Sequence, residues 1–457
     1  MIKKSTQKLI IYELNEVPVK VLKKYINNFP NSNLSYIYKN GIFHKTYTTD
    51  DGELHPWSTW PTVHRGVNNK IHQIRFINQD LDSAKKWPPI WEVLIQNKKT
   101  IGIFGSLQSY PPIKNKFVSF YLPDTFAPDI NAFPKILEVF QDFNLYLTEK
   151  NKAISRSFSF KQIYKFLKLI ILGTFSKKTL IKVLKQVFLE IVNKKSKTLR
   201  SLIQPILGFD IYLKILKKKK PEFSTFFTNH VAGIMHRYWR YTFPEDFGDK
   251  NNKDNFHLES INKAMHIADN QVGKLIKFCN SNNYDLWILS SMGQKAVKRE
   301  NNFPEIYVGN IKKVIKSIGL NEKNYSLLPA MQPDLCLSCI DKKSRSNLVE
   351  NLKKIKDNDG KLIFVPKYID NGNCVNISIK HSLKAFETKE FLIDEKIIEA
   401  KDLDIEFIQR DIGTGYHCKE GIYLGLGNKT NKLFKNHNRK KIDTREFFYK
   451  VKEFYKI

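Results

Sequence analysis

Two spacing patterns of apolar residues alternate along the chain. Short apolar runs occur at residues 9–12, 100–104 and 286–289, and 42–47 and 223–228, the latter through Phe223, Phe226 and Phe227, also read as strands. Runs of this kind suit strands covered on both faces. Between them, apolar residues return every three or four positions, at 18–26, 31–40, 88–96 and 258–279. That spacing puts one apolar stripe on a helix. Strands alternating with helices predict an α/β fold: a mainly parallel central sheet with helices on both faces.

Two regions depart from this rhythm. Residues 161–195 keep helical spacing through Ile163, Phe166, Leu167, Ile170 and Ile171, then Leu180, Val183, Leu184, Val187, Phe188 and Ile191, with lysines between them. They predict a helical cap inserted over 150–220. Residues 305–405 mix both patterns and predict a smaller α+β insertion. The remainder reads as one domain spanning 1–457.

Composition changes this picture in three ways. The formal charge of +31 favours anionic partners, although a general bias toward Lys, Asn and Ile contributes to it. No zinc-finger, helix-turn-helix or RNA-binding signature accompanies the charge, so nucleic acid is not expected. Five sparse cysteines do not make a disulfide framework, and Cys336-Leu-Ser-Cys339 reads as part of a buried strand. The apolar run near the N-terminus is too short for a signal peptide, and no run approaches a spanning helix. A cytoplasmic protein is expected. The lysine-rich insertion either contacts a membrane peripherally or is a solvated face over a buried stripe.

Candidate chemistry gathers where apolar runs stop, because ligands of open α/β sheets bind at the carboxyl ends of the strands. The run 223–228 stops at Thr228-Asn229-His230, and His236 follows closely. These histidines could share a metal, or be one surface and one core residue. The first run ends in Glu13-Leu14-Asn15-Glu16. A loop at 48–66 is dense in hydroxyls, carboxylates and histidines, and includes Glu53, Thr59 and His64. Such a loop either presents a nucleophile at a helix start or merely caps the helix. A late segment, Gly415-Tyr416-His417-Cys418-Lys419-Glu420-Gly421, precedes another apolar run.

The order of these segments resembles the alkaline phosphatase superfamily, in its type I phosphodiesterase/nucleotide pyrophosphatase branch. The similar landmarks are residues 9–16, Thr59-Trp60-Pro61 through Gly66, His230 to His236, residues 286–293, and residues 415–421. The resemblance implies a metal-dependent hydrolase or transferase acting on a phosphate or sulfate ester. It implies zinc held by His230, His236 and His417. The second metal site of the family would be lost, because Asn15, Ser291 and Met292 stand where its ligands would be. Thr59 is the nucleophile by its local triplet; Glu53 is the alternative, as a base acting on a water molecule. Asn15 is a further catalytic candidate, and Asn78 and His64 are candidate substrate contacts. An anionic small-molecule or glycan ester is the implied substrate. The alternative is a catalytically inactive relative serving as a scaffold or a polyanion- or membrane-binding protein.

Overall fold

The computed structural model describes residues 7–149, 160–248, 255–298, 304–331, 333–368, 372–408, 413–434 and 441–457. Residues 150–159, the start of the expected insertion, lie outside the described residues.

The central sheet is built from β1 (Lys8–Leu14), β2 (Ile42–Tyr47), β3 (Ile101–Phe104), β4 (Val118–Leu122), β5 (Phe223–Thr228) and β6 (Tyr284–Leu289). A short strand outside this sheet, β7 (Gly293–Ala296), pairs antiparallel with β8 (Gly415–Cys418). β9 (Glu420–Leu426) and β10 (Lys441–Asp443) complete the sheet. Its order is β10-β2-β9-β6-β1-β5-β3-β4. β1 runs parallel to both β5 and β6, β3 to β4 and β5, and β10 to β2. β9 alone in this sheet runs antiparallel to its neighbours, β6 and β2. The fold is therefore α/β with a mainly parallel sheet, as the alternating pattern predicts.

Strand periodicity divides β1 between two cores. Ile10, Tyr12 and Leu14 face a core shared with α1 (Val19–Asn28), α2 (Asn33–Asn40) and other helices on that side. Leu9 and Ile11 face the opposite core, with α3 (Pro56–Arg65) and α4 (Ile90–Gln96). Burial on both faces explains why the strands read as apolar runs.

The first core also receives α5 (Ile136–Glu149), α6 (Phe160–Ile171), α7 (Lys177–Val192) and α8 (Ile203–Lys219), through residues such as Phe143, Leu169 and Leu207. α6 and α7 are two helices separated by a turn at Gly173, where φ is +60°. α9 (His230–Thr242) and α10 (Ser260–Asn282) lie on the same face. Residues 306–407 carry a core of their own. Its largest sheet is antiparallel and includes Leu335–Cys339, with Cys336 and Cys339 buried.

Candidate metal centre

β1 ends at Leu14, and the chain turns sharply through Asn15 and Glu16. Glu16 adopts φ +61°, a left-handed conformation that a glutamate adopts at a cost of about 1–3 kcal/mol. The turn aims its carboxylate across the carboxyl edge of the sheet, where it is 2% exposed. Asn15 Nδ2 donates to Glu16 Oε1 at 2.8 Å, and Gln294 Nε2 donates to Oε2 at 2.5 Å. Two imidazoles converge on the same oxygen. His236 Nε2 lies 3.0 Å from Oε2, and His417 Nε2 lies 3.4 Å from it.

Each ring is positioned by the backbone that carries it. His236 sits on α9, and its Nδ1 donates to the carbonyl of Gly415 at 2.9 Å. His417 lies on β8 directly opposite Gln294 on β7. Gly415 permits this closeness: a Cβ there would stand 2.5 Å from the Met235 carbonyl oxygen. With Nδ1 engaged by the Gly415 carbonyl, Nε2 is the nitrogen that His236 turns toward Glu16. Burial alone would lift the Glu16 carboxyl, but the charges and hydrogen bonds of His417 and His236 hold it well below its ordinary value. For His417, burial opposes protonation, yet the charge and hydrogen bond of Glu16 raise it above the ordinary value.

Among the described residues, Glu16, His236 and His417 are the cluster of ligand types close enough to hold one ion, with their ligand atoms all within 4.8 Å of one another. The donor set fits a divalent transition metal. It offers two imidazole nitrogens and one carboxylate oxygen. A tetrahedral ion with bonds of ~2.1 Å holds its ligand atoms ~3.4 Å apart, close to the Glu16–histidine separations of 3.0 and 3.4 Å. His236 also has its second nitrogen fixed by a backbone carbonyl, as ligating histidines usually do.

His230 is not part of this cluster. It opens α9 with its ring turned into the core, 6% exposed. Its Nδ1 is 2.7 Å from Thr228 Oγ1 and its Nε2 is 3.0 Å from the Ala264 carbonyl oxygen. Both nitrogens are thus engaged, and burial pushes its pKa down to about 4, so it is a neutral core residue. Glu16 takes the place expected for it.

Three other expectations also change. Thr59 is fully buried on α3, with its hydroxyl 2.8 Å from that of Ser291. A nucleophile bonded inside the fold is not presented to substrate. His64 is buried at 4% exposure with Nε2 2.7 Å from Glu13 Oε1, away from the cluster of Glu16, His236 and His417. Asn15 is a positioning residue: besides holding Glu16, its amide bonds Asn229 Oδ1 at 2.6 Å and accepts from Trp60 Nε1 at 2.8 Å. Met292 is buried.

Glu53 stands at the mouth of the centre. Its Oε1 accepts a hydrogen bond from the Tyr416 hydroxyl, which holds its carboxyl below the ordinary value against partial burial. His55 lies 3.7 Å from its Oε2. Burial lowers the His55 pKa to about 4. The His55 ring meets His417 edge-on at 5.8 Å and stacks on Trp57 at 4.4 Å. Beyond Trp57 opens a cavity of about 210 Å³, lined by Asn78, Tyr110, Asp124, Phe126 and Leu328 among others. Asn78 lies on its wall, but its amide is already given to the Pro329 carbonyl at 2.6 Å.

No family model matches the chain, and no curated protein matches it. Solved structures do. The chain is similar to phosphonoacetate hydrolase from Sinorhizobium meliloti 1021, at 12% identity over 98% of this chain and 96% of that one, with a TM-score of 0.45. It is also similar to murine ectonucleotide pyrophosphatase/phosphodiesterase 5, at 12% identity over 99% and 95% of the two chains, with a TM-score of 0.39. The human form of that protein matches at 11% identity, with a TM-score of 0.37. Likenesses this distant leave the chemistry of the centre to rest on its own distances.

Proposed function

We propose that this chain belongs with the alkaline phosphatase superfamily and is a metal-dependent hydrolase of a phosphate or sulfate ester. The observation that carries the reading is the buried, left-handed Glu16 with two imidazole Nε2 atoms aimed at one of its oxygens. Glu16, His236 and His417 would hold the ion, and zinc suits them best. A bound zinc would polarise the ester and lower the pKa of a water.

The protein's own groups supply the rest. Asn15 and Gln294 orient the carboxylate. Glu53, ionised and tied to Tyr416, is the base at the mouth that can take a proton from an attacking water. The buried Thr59 hydroxyl favours this water route over a covalent intermediate. The cavity of about 210 Å³ beside Trp57 is the space we assign to the substrate's non-reacting portion. The excess of lysine favours an anionic ester, of the small-molecule or glycan kind.

Metal content, together with hydrolysis of bis-p-nitrophenyl phosphate and p-nitrophenyl sulfate, tests the reading. Wild type should bind one metal per chain and cleave one of these esters, and His417→Ala should lose both properties. Full metal occupancy in His417→Ala would refute the site. A second reading, an inactive relative, is favoured by the same burial of Thr59. It predicts metal binding with no ester cleaved.

A further inference from the structure

We propose that α6 and α7 form a peripheral membrane anchor, laying an uncovered apolar face on an anionic lipid surface. The two helices are held to the fold by one side only. Phe166 packs against Phe143 and Phe175 at ring separations of 6.0 and 5.7 Å, Leu169 is fully buried, and Thr179 and Glu190 face inward on α7. The other side is apolar and bare. Phe160, Tyr164, Leu167 and Ile171 follow helical spacing on α6, and Phe160 is 93% and Ile171 84% exposed. Ile181, Leu184 and Phe188 do the same on α7, each more than 60% exposed. Scattered exposed apolar residues are normal on a protein surface, but a run of them at helical spacing on each of two successive helices marks an interaction surface.

Charge identifies the occupant. Between residues 160 and 200 there are eleven lysines and arginines and one acidic residue, Glu190. Glu190 is buried against Arg200, so it does not offset the surface charge. Lys177, Lys178, Lys182 and Lys185 are exposed on α7 within about 100° of Ile181 around the helix axis. Apolar side chains flanked by lysines match the boundary between acyl chains and anionic headgroups. A second copy of the same face would set like charges against each other. No helix among the described residues is long and apolar enough to cross a membrane, so the contact is one of lying on the surface. It does not depend on the metal centre.

Sedimentation of the full chain with vesicles provides the test. Vesicles of phosphatidylcholine alone are compared with vesicles containing about one-third phosphatidylglycerol. Wild type should bind the anionic vesicles and bind the neutral ones at least tenfold more weakly. A variant carrying Lys177→Gln, Lys178→Gln, Lys182→Gln and Lys185→Gln should lose about fivefold in partitioning for each charge removed. A Leu184→Ser, Phe188→Ser variant should lose at least tenfold with its charge intact. All six positions are solvent-facing, so the melting temperatures should stay close to wild type. The proposal is overturned if wild type ignores anionic vesicles. It is also overturned if the serine variant binds them as wild type does, or if that variant turns a dimer into a monomer in sedimentation velocity.

Discussion

Replacing His230 with alanine distinguishes a core histidine from a metal ligand. The substitution removes two hydrogen bonds, to Thr228 and to the Ala264 carbonyl. Each contributes about 1 kcal/mol. It also leaves a void of roughly 60 Å³ where the imidazole was, costing about 1.5 kcal/mol at ~24 cal/mol per Å³. The expected loss near neutral pH is therefore about 3–4 kcal/mol. The pH dependence is the sharper signature. The folded pKa is about 4, below the ordinary value of about 6.5. Between these values the unfolded chain binds a proton that the folded one refuses, so His230's contribution is complete above pH ~6.5 and declines as pH falls toward ~4. Wild type should thus lose about 1.4 kcal/mol per pH unit relative to His230→Ala in that window. By pH ~5 the difference between them should shrink by about 2 kcal/mol. Urea midpoints of chelator-treated proteins at neutral pH and near pH 5 read both quantities. Metal stoichiometry of the same proteins before chelator treatment should be unchanged. A His230→Ala protein that loses its metal, with a stability deficit that does not vary with pH, would refute the assignment.

Other substitutions report on the parts of the centre. Glu16→Gln should weaken metal binding by at least ~100-fold, since loss of an outer contact alone typically costs 10–100-fold; competition with a fluorescent chelator measures it. Gln294→Ala should fall within that outer range, by the same assay. Gly415→Ala must push β8 away from the Met235 carbonyl, so it should cost about 1–3 kcal/mol in a thermal or urea melt and release the His236 ring. Thr59→Ala should cost about 1–2 kcal/mol in stability, leaving the Ser291 hydroxyl unpaired, while Glu53→Gln should remove ester hydrolysis without loss of metal. Retained hydrolysis in Glu53→Gln together with none in Thr59→Ala would reverse the two roles.

The sheet was readable because its strands are covered on both faces. Leu9 through Tyr12 cannot alternate with polar residues when one side meets α3 and the other α1, so the run itself marks a central strand. β4 escaped the pattern because Ser119 interrupts its apolar run in a segment crowded with prolines. The break between α6 and α7 was marked by Gly173, but it lies within a stretch whose apolar spacing continues on both sides.

The centre was half readable, and the missed half has a geometric cause. His230 and His236 are close in sequence, but both stand on α9, six residues apart. Six steps of 100° place them about 120° apart around the helix axis, so they cannot face one ion. His236 faces the sheet edge and His230 the core. That constraint becomes available once the helix is known to begin at His230 rather than after it. Glu16 was hidden by the opposite problem. The family comparison fixes attention on position 15, and nothing in Glu-Leu-Asn-Glu says which side chain leaves the strand toward the edge. The left-handed turn at Glu16 decides it, and a turn of that kind at a non-glycine residue leaves no mark in hydropathy. Its cost is borne by the contacts around the carboxylate: Asn15, Gln294 and the two imidazoles. Removing the charge at Glu16 removes the reason for the turn along with the ligand. The strained, buried carboxylate between two histidines is where this chain gathers the ligand types that a cation takes.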